Sequence, residues 1–273
     1  MISADVEVNP PRSVDRLFWG DARQVVPAEI NPASVALLVT SPPYFSGKEY
    51  EADLGADHVP GSYLEYLQML REVFAVCLET LEPGGRMAIN VANLGRRPFR
   101  SLAADVTGIL QDDLGMLMRG EIIWQKAKGA GGSCAWGSFR SPANPVLRDV
   151  TERVIVASKG RFDRALSRSH REASGLPHRS TMTSSAFMEA TIDLWEIPAE
   201  SATRVGHPAP FPVALPQRLI ELYTYQGDLV LDPFVGSGTS ALAARLTGRH
   251  YIGIDTEASY IELATNRLRA DSS

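Results

Sequence analysis

The sequence predicts an α/β fold built on one mostly parallel sheet. Two features carry this. Short apolar runs alternate with stretches of helical period, the pattern of strand–helix–strand units. A glycine-rich bend in Asp228–Gly238 then joins one such run to a following helix. In chain order the candidate strands are Arg16–Trp19, Ser34–Thr40, Arg86–Val91, Glu121–Gln125, Arg153–Ser158, Asp228–Leu231 and His250–Ile254, enough for a seven-stranded doubly wound sheet.

Helices are marked between them. Ser62 and Glu65 have the spacing of a capping box, Leu67, Leu70, Phe74, Cys77, Leu78 and Leu81 follow at helical spacing, and Pro83-Gly84-Gly85 ends the run. Cys77 on that stripe reads as a core thiol rather than a nucleophile. A second helix is expected over Pro216–Tyr225, with Pro216 in its first turn and Gly227 beyond its end, and a third over Thr239–Leu246, ending at Gly248. Residues 128–133 read as a loop. Residues 161–190 are rich in Ser, Arg and Thr and lack a clear period, so they read either as a surface loop or as a recognition segment inserted outside the sheet.

Composition narrows the function. With 273 residues, 44% hydrophobic and 22% charged, the chain has the make-up of a globular protein of one large domain or two average ones, which excludes collagen-like and disordered classes. Its two cysteines, Cys77 and Cys134, form no C-x-x-C pair, which argues against a disulfide scaffold or a zinc knuckle and suits a reducing cytoplasm. The acidic, proline-containing start lacks the features of a secretory signal, and no apolar run approaches a membrane span of roughly 18 residues. A soluble, cytoplasmic protein that avoids membranes is therefore expected. The formal net charge of −5 argues mildly against a nucleic-acid partner, but the distribution is uneven. Arginine supplies 23 of the 27 basic residues, and residues 159–180 carry six Lys and Arg against two acids. Arg excess suits bidentate contacts to phosphate and guanine, although a GC-rich genome produces the same bias.

Two motifs carry chemistry. In Asp228–Gly238 a strand enters a bend at Gly236 and Gly238, and the next strand ends on Asp255. Such a unit holds an adenosine-like ligand: the glycines let the backbone approach it, and Asp255 accepts from the ribose hydroxyls. Asp232 at the strand end is placed for a ligand ammonium. The third glycine of the dinucleotide pattern and the lysine of a phosphate loop are both missing, which disfavours NAD and ATP. A ligand without phosphates fits better, which points to S-adenosylmethionine.

The second motif is Thr40-Ser41-Pro42-Pro43-Tyr44, at the end of an apolar run. In an open α/β sheet, ligands bind beyond the carboxyl ends of the strands, so this segment is expected to share a crevice with Gly236. The two prolines fix the backbone and leave carbonyl acceptors. A rigid acceptor set beside a tyrosine suits an amino group on a flat ring, which stacks on Tyr44 while the amine donates to Ser41 and the Pro42 carbonyl.

With both motifs in place, the chain resembles the amino-group DNA methyltransferases of the β class, closest to the cytosine-N4-specific members. The likeness runs through LFWGDA (17–22), VTSPPY (39–44), LEPGGRMAINVAN (81–93), EIIWQK (121–126), WGSFRSPANPVLRDVTERVIVASK (136–159), DLWEIP (193–198), HPAPFP (207–212) and VLDPFVGSGTS (230–240). It implies a Rossmann-like methyltransferase fold with circularly permuted segments, so that the N-terminal strand pairs beside His250–Ile254. It also implies a catalytic part over 1–160, a target-recognition insertion over 161–198 and a cofactor-binding part over 199–273. Ser41, Pro42, Pro43 and Tyr44 match the catalytic motif. Asp21, Thr40, His207, Pro208, Phe211, Asp232, Phe234, Gly236, Ser237, Gly238, Thr239 and Asp255 fall at the cofactor, S-adenosyl-L-methionine, whose product is S-adenosyl-L-homocysteine. Lys48, Arg140, Arg161, Arg164, Arg168, Arg171 and Arg179 are the expected contacts to double-stranded DNA, and no metal is implied. The family includes dimers and members paired with a restriction endonuclease.

The expected reaction is methyl transfer to the exocyclic amine of a flipped base, with cytosine N4 favoured over adenine N6 because position 41 is a neutral serine. Cytosine C5 chemistry needs a cysteine nucleophile, which neither Cys77 nor Cys134 is placed to supply. A non-catalytic DNA-binding relative, or a methyltransferase of RNA, protein or small molecules, would lack a reason for both intact motifs together with an Arg-rich segment. Tyr44→Ala is expected to cut turnover strongly and leave cofactor affinity nearly unchanged; equilibrium dialysis showing lost cofactor binding would contradict the stacking role.

Overall fold

The computed structural model describes residues 5–43, 63–93, 100–126, 137–147, 150–199 and 211–270. Among them an eight-stranded sheet forms, one strand more than the sequence predicts. Its strands are β1 (Arg16–Trp19), β2 (Val35–Thr40), β3 (Leu81–Val91), β4 (Leu117–Gln125), β5 (Thr151–Ser158), β6 (Leu194–Glu196), β7 (Leu229–Asp232) and β8 (His250–Asp255). They lie in the order β1-β8-β7-β2-β3-β5-β4-β6, and only β5 runs against its neighbours. The added strand is β6, three residues long and parallel to β4 at the sheet edge. Three residues are too few to show a period, so edge pairing alone makes this segment a strand.

As expected, β1 pairs parallel with β8, setting Trp19 beside Asp255. At the centre, all six residues of β2 are buried, as a strand covered on both faces requires.

Among the described residues eight α-helices cover the sheet: α1 (Ala22–Glu29), α2 (Tyr63–Thr80), α3 (Leu102–Gly108), α4 (Arg168–Ala173), α5 (Ser184–Ala190), α6 (Ala214–Tyr223), α7 (Thr239–Leu246) and α8 (Ala258–Ala270). On one face Val26 of α1, Leu70, Phe74 and Cys77 of α2 and Val106 of α3 pack on Leu38, Ile89 and Leu231. Each such fully buried side chain contributes roughly 1.5–3 kcal/mol. On the other face Leu215 and Leu219 of α6 and Ala243 and Ala244 of α7 cover Leu37, Val39 and Val230. Cys77 is fully buried and its thiol is pushed up by that burial, as a core residue should be. Ser62, the expected cap of α2, lies outside the described residues.

Two regions differ from expectation. β3 begins at Leu81, directly after α2, so Pro83-Gly84-Gly85 belongs to the strand rather than to a stop. A register irregularity between Val35 and Leu37 absorbs the extra residues. Gly84 has φ +78, and a Cβ there would lie 1.9 Å from the Asp163 carbonyl oxygen, so the chain after β5 passes directly against it.

The second region is the Arg-rich one. Instead of standing outside the sheet, residues 159–181 run beneath it as a strap at the amino ends of β3, β7 and β8. Gly84 N–H donates to Lys159 O at 2.9 Å, Gln226 N–H to Arg179 O at 2.9 Å, and Arg249 Nη1 to Thr181 Oγ1 at 2.7 Å. The strap contains the short helix α4, capped by the Ser167 hydroxyl; α5, capped by Thr183, follows it.

Arg164 and Arg171, expected on DNA, are both buried in the strap with Glu82 and Asp228. Arg171 meets Glu82 at 3.1 Å and Asp228 at 2.8 Å, Arg164 meets Asp228 at 3.1 Å and also bridges Glu82, and both guanidinium groups lie over the Tyr225 ring. Burial pushes the Glu82 carboxyl upward against the pull of the two arginines. The cluster balances two cations with two anions, which is what allows four charged groups to lie in the interior. Arg171→Ala is expected to cost about 3–5 kcal/mol by leaving Glu82 and Asp228 under-compensated, measured by chemical denaturation. An unchanged unfolding midpoint would show that the cluster does not brace the fold.

Candidate active site

The carboxyl ends of β2, β7, β8 and β1 lie side by side on one edge of the sheet, where an open α/β sheet binds its ligand, and both sequence motifs begin there. β2 and β7 are parallel neighbours, with Leu37 opposite Val230 and Leu38 opposite Leu231. The strand ends are joined directly: Thr40 Oγ1 donates to Asp232 Oδ1 at 2.5 Å across 192 residues of sequence. Ser41, Pro42 and Pro43 follow Thr40 immediately, with Pro42 buried. Tyr44 and Lys48 lie outside the described residues, as do His207 and Pro208.

Asp232 is the buried bracket of the site. Besides Thr40 it accepts from the Phe234 N–H at 3.0 Å and from the Ser240 hydroxyl. Three of the roughly four acceptor positions of a carboxylate are thus filled from within the chain. This differs from the expected ammonium contact: the structure gives Asp232 the work of tying β2, β7 and α7 together. Its carboxyl is pushed up to about 6 by burial, with the bonds from Ser240, Thr40 and Phe234 pulling the other way.

The glycine bend is shaped by packing. Gly236 and Gly238 have φ of +48° and +80°. A Cβ on Gly238 would lie 2.8 Å from Ala264 Cβ, so α8 leaves no room for a larger residue. Gly236 N–H donates to Asp255 Oδ2 at 2.8 Å and Glu257 N–H donates to Oδ1 at 3.0 Å. Asp255 therefore fixes the bend as well as facing the crevice, and burial raises its carboxyl. The Thr256 backbone also hydrogen-bonds this carboxylate, which leaves it roughly one of four acceptor positions for a further donor.

Other expected cofactor residues have duties within the protein. The Ser237 and Thr239 hydroxyls face α8, where Arg267 Nη1 reaches Thr239 Oγ1 at 2.8 Å and Ser237 Oγ at 3.4 Å. Phe234 leans against the α1–α2 core, and Phe211 packs on the α6–α7 side. Asp21 caps α1 by accepting from Arg23 N–H at 2.8 Å and also pairs with the Arg23 guanidinium at 2.6 Å. It nevertheless sits at the crevice rim, because Gly20 N–H donates to Asp255 O at 2.9 Å. Beside it, Trp19 is 70% exposed and its indole N–H donates to Thr256 O at 2.9 Å.

Sequence reasoning missed Ser240 and Arg267. Ser240 is the last residue of the matched segment 230–240, where its place in the first turn of a helix after a buried acid was a usable signal. Arg267 had none, since it acts from 28 residues beyond Thr239. Among the described residues no group of His, Cys, Asp and Glu is arranged to hold a metal, and no helix is long and apolar enough to cross a membrane.

An open, mostly parallel sheet with a phosphate-free glycine bend, an acid on the neighbouring strand and a rigid proline pair across the crevice defines the class of nucleoside-binding group-transfer enzymes. The family model described as DNA methylase matches residues 35–266, and the chain belongs to that family. It is a methyltransferase that acts on DNA. It is 29% identical to the type II methyltransferase M.BglI of Bacillus subtilis, across 91% of this chain and 84% of that one. It is 27% identical to the type II methyltransferase M.ScaI of Streptomyces caespitosus, across 94% and 82%. Among solved structures, TTHA0409 of Thermus thermophilus, provisionally assigned as a DNA modification methylase, superposes with a TM-score of 0.72 at 29% identity, covering 93% of this chain and 94% of that one. The same protein has been solved with S-adenosyl-L-methionine. The cytosine-N4-specific PvuII DNA methyltransferase shares the fold, with a TM-score of 0.67 at 18% identity, covering 96% of this chain and 90% of that one.

The raised Asp232 carboxyl fixes the sign of a pH effect. The folded chain holds this proton more tightly than the unfolded one, whose value is 3.8, so the group favours folding most at low pH and that contribution is lost as pH rises through about 6. The total is about 3 kcal/mol. Asp232→Asn is expected to flatten the fall in stability over this window, measured by urea unfolding at each pH; a slope equal to that of the unsubstituted protein would count against it.

Proposed function

We propose that this protein methylates the exocyclic N4 of a cytosine turned out of double-stranded DNA at a specific site. S-adenosyl-L-methionine is the cofactor; when bound it supplies the methyl group as an electrophile and leaves as S-adenosyl-L-homocysteine. The glycine bend and the remaining acceptor capacity of Asp255 suit its adenosine half, and the bend needs no phosphate cradle. The observation that carries the proposal is the bond from Thr40, the residue preceding Ser41-Pro42-Pro43, to Asp232 at the entrance to that bend. It holds an amine-accepting segment and a nucleoside-holding turn at one crevice.

The residues then have separable tasks. The amine of a base is a poor nucleophile because its lone pair is delocalised into the ring. Ser41 and the Pro42 carbonyl accept its hydrogens and favour a pyramidal nitrogen with the lone pair aimed outward. Tyr44 stacks on the ring. Stacking returns about 1–3 kcal/mol against the few kcal/mol that unpairing and unstacking cost. Ser41 is a weak base, so the proton leaves the nitrogen after transfer. The acceleration comes from positioning and from fixed acceptors rather than from a strong base.

Serine at position 41 favours cytosine, because a neutral acceptor suffices for its more polarised ring. The type II designation of the relatives supports sequence-specific action; a companion endonuclease and a dimeric assembly rest on the family likeness alone. Digesting DNA modified by the expressed protein to nucleosides is expected to yield N4-methylcytosine. N6-methyladenine alone would overturn the choice of base while leaving the reaction class standing, and S-adenosylmethionine binding with no transfer to mixed DNA would overturn both.

A further inference from the structure

On the side of Ser41 away from Asp232, a buried polar row crosses the carboxyl edge of the sheet. β2 and β3 are parallel with Thr40 opposite Ile89, so the next residue of each chain sets Ser41 beside Asn90. Asn90 Nδ2 donates to Glu152 Oε2 at 2.5 Å, and the Lys126 ammonium donates to Glu152 Oε1 at 3.1 Å. Asn90 lies near the end of β3 and Glu152 at the start of β5. Lys126 directly follows β4, and its N–H extends that ladder by donating to Val150 O at 2.9 Å. Strand alternation puts the row on one face. Val39, Ala88, Val154 and Trp124, each two positions from Ser41, Asn90, Glu152 and Lys126 in turn, all pack in the cluster beneath α6 and α7. Asn90 is 3% exposed and Glu152 8%, so the carboxylate is tolerable only because donors compensate it. Lys126 is the wetter end, its side chain 25% exposed. Its ammonium has three hydrogens and, among the described residues, Glu152 as its side-chain partner.

Resting on the proposed cytosine-N4 reaction, we infer that Lys126 donates to the ring carbonyl O2 of the flipped cytosine whose amine lies at Ser41, and thereby selects cytosine over adenine. Asn90 and Glu152 are positioning residues that aim the ammonium. From β2 to β5 is two strand spacings, about 10 Å, which places the ammonium beside Glu152 roughly that far from Ser41. This is the span of a pyrimidine held at both ends, with a hydrogen bond of about 2.9 Å at the amine and another at O2. Charge favours a carbonyl over a phosphate here. The ammonium is half of a neutral pair, and a phosphate on it would meet the Glu152 carboxylate. Adenine with its N6 at Ser41 turns C2–H to the place of O2. The lysine donor is then left without an acceptor, and a site built to bond a group rejects the analogue lacking it.

The test uses the full chain, tritiated S-adenosylmethionine and one genomic library copied with either cytosine or 2-thiocytosine, whose sulfur is a weak acceptor in place of O2. The unsubstituted protein is expected to methylate the thio-substituted DNA roughly ten-fold more slowly, the size of one weakened hydrogen bond to a charged donor. Lys126→Met is expected to slow incorporation into ordinary DNA by about 10- to 100-fold, with cofactor affinity unchanged, and to treat the two DNAs alike. The double variant Lys126→Met, Glu152→Gln removes both charges together, and is expected to keep the thermal unfolding midpoint and show the same loss of preference. Equal rates on the two DNAs for the unsubstituted protein, full activity in Lys126→Met, or a preference for the oxygen-bearing DNA that survives in the variants would overturn the role of Lys126. An unsubstituted protein that yields N6-methyladenine alone, or methylates no DNA, would instead overturn the reaction on which the inference rests.

Discussion

One buried contact organises the catalytic end of this protein: Thr40 donating to Asp232, with Ser240 and the Phe234 N–H closing on the same carboxylate. It joins residues 192 positions apart. Parallel pairing of β2 and β7 brings the strand ends together, and the bracket fixes how the chain leaves each of them. On one side it leaves as a rigid proline pair, on the other as the glycine bend. A carboxylate buried this deeply is costly unless donors surround it. The three donors make the arrangement self-consistent, because moving either segment strips the acid of a partner. The same physical constraint that stabilises the fold thus positions the chemistry.

The sheet separates two kinds of electrostatics by strand direction. At the carboxyl ends Asp232 and Asp255 are held by hydroxyls and backbone N–H groups. At the amino ends Glu82, Asp228, Arg164 and Arg171 neutralise one another beneath the sheet. That cluster takes up two of the five arginines of residues 159–180. Its basic residues answer acids of the same chain, so net charge along a stretch says little about where a polyanion lands.

The glycine bend shows how packing becomes function. Gly238 is required by Ala264 of α8, and Gly236 by its left-handed φ of +48°, which aims its N–H at Asp255. Neither requirement refers to a ligand, yet together they produce a bend whose backbone is open to one. Ser237 and Thr239 follow the same logic with Arg267, their hydroxyls serving the scaffold.

Much of this was legible in the sequence. Apolar runs gave β1, β2, β5, β7 and β8 to within two residues; every residue of β2 and β7 is buried, which leaves those strands little freedom in composition. α7 was read with its observed limits, because a glycine bend starts it and Gly248 ends it. The pairing of β1 with β8 followed from segment order, and the two motifs announced the chemistry through residue type and spacing. Tertiary structure decided what local pattern could not carry. β6 is a strand only because β4 offers it an edge. Arg164 and Arg171 are buried only because Glu82 of β3 and Asp228, just before β7, come in from far off in sequence. Ser240 and Arg267 gain their roles from partners that only the folded chain brings close. Local pattern records what a residue prefers, whereas the partner that satisfies a charge or hydroxyl is chosen by the fold.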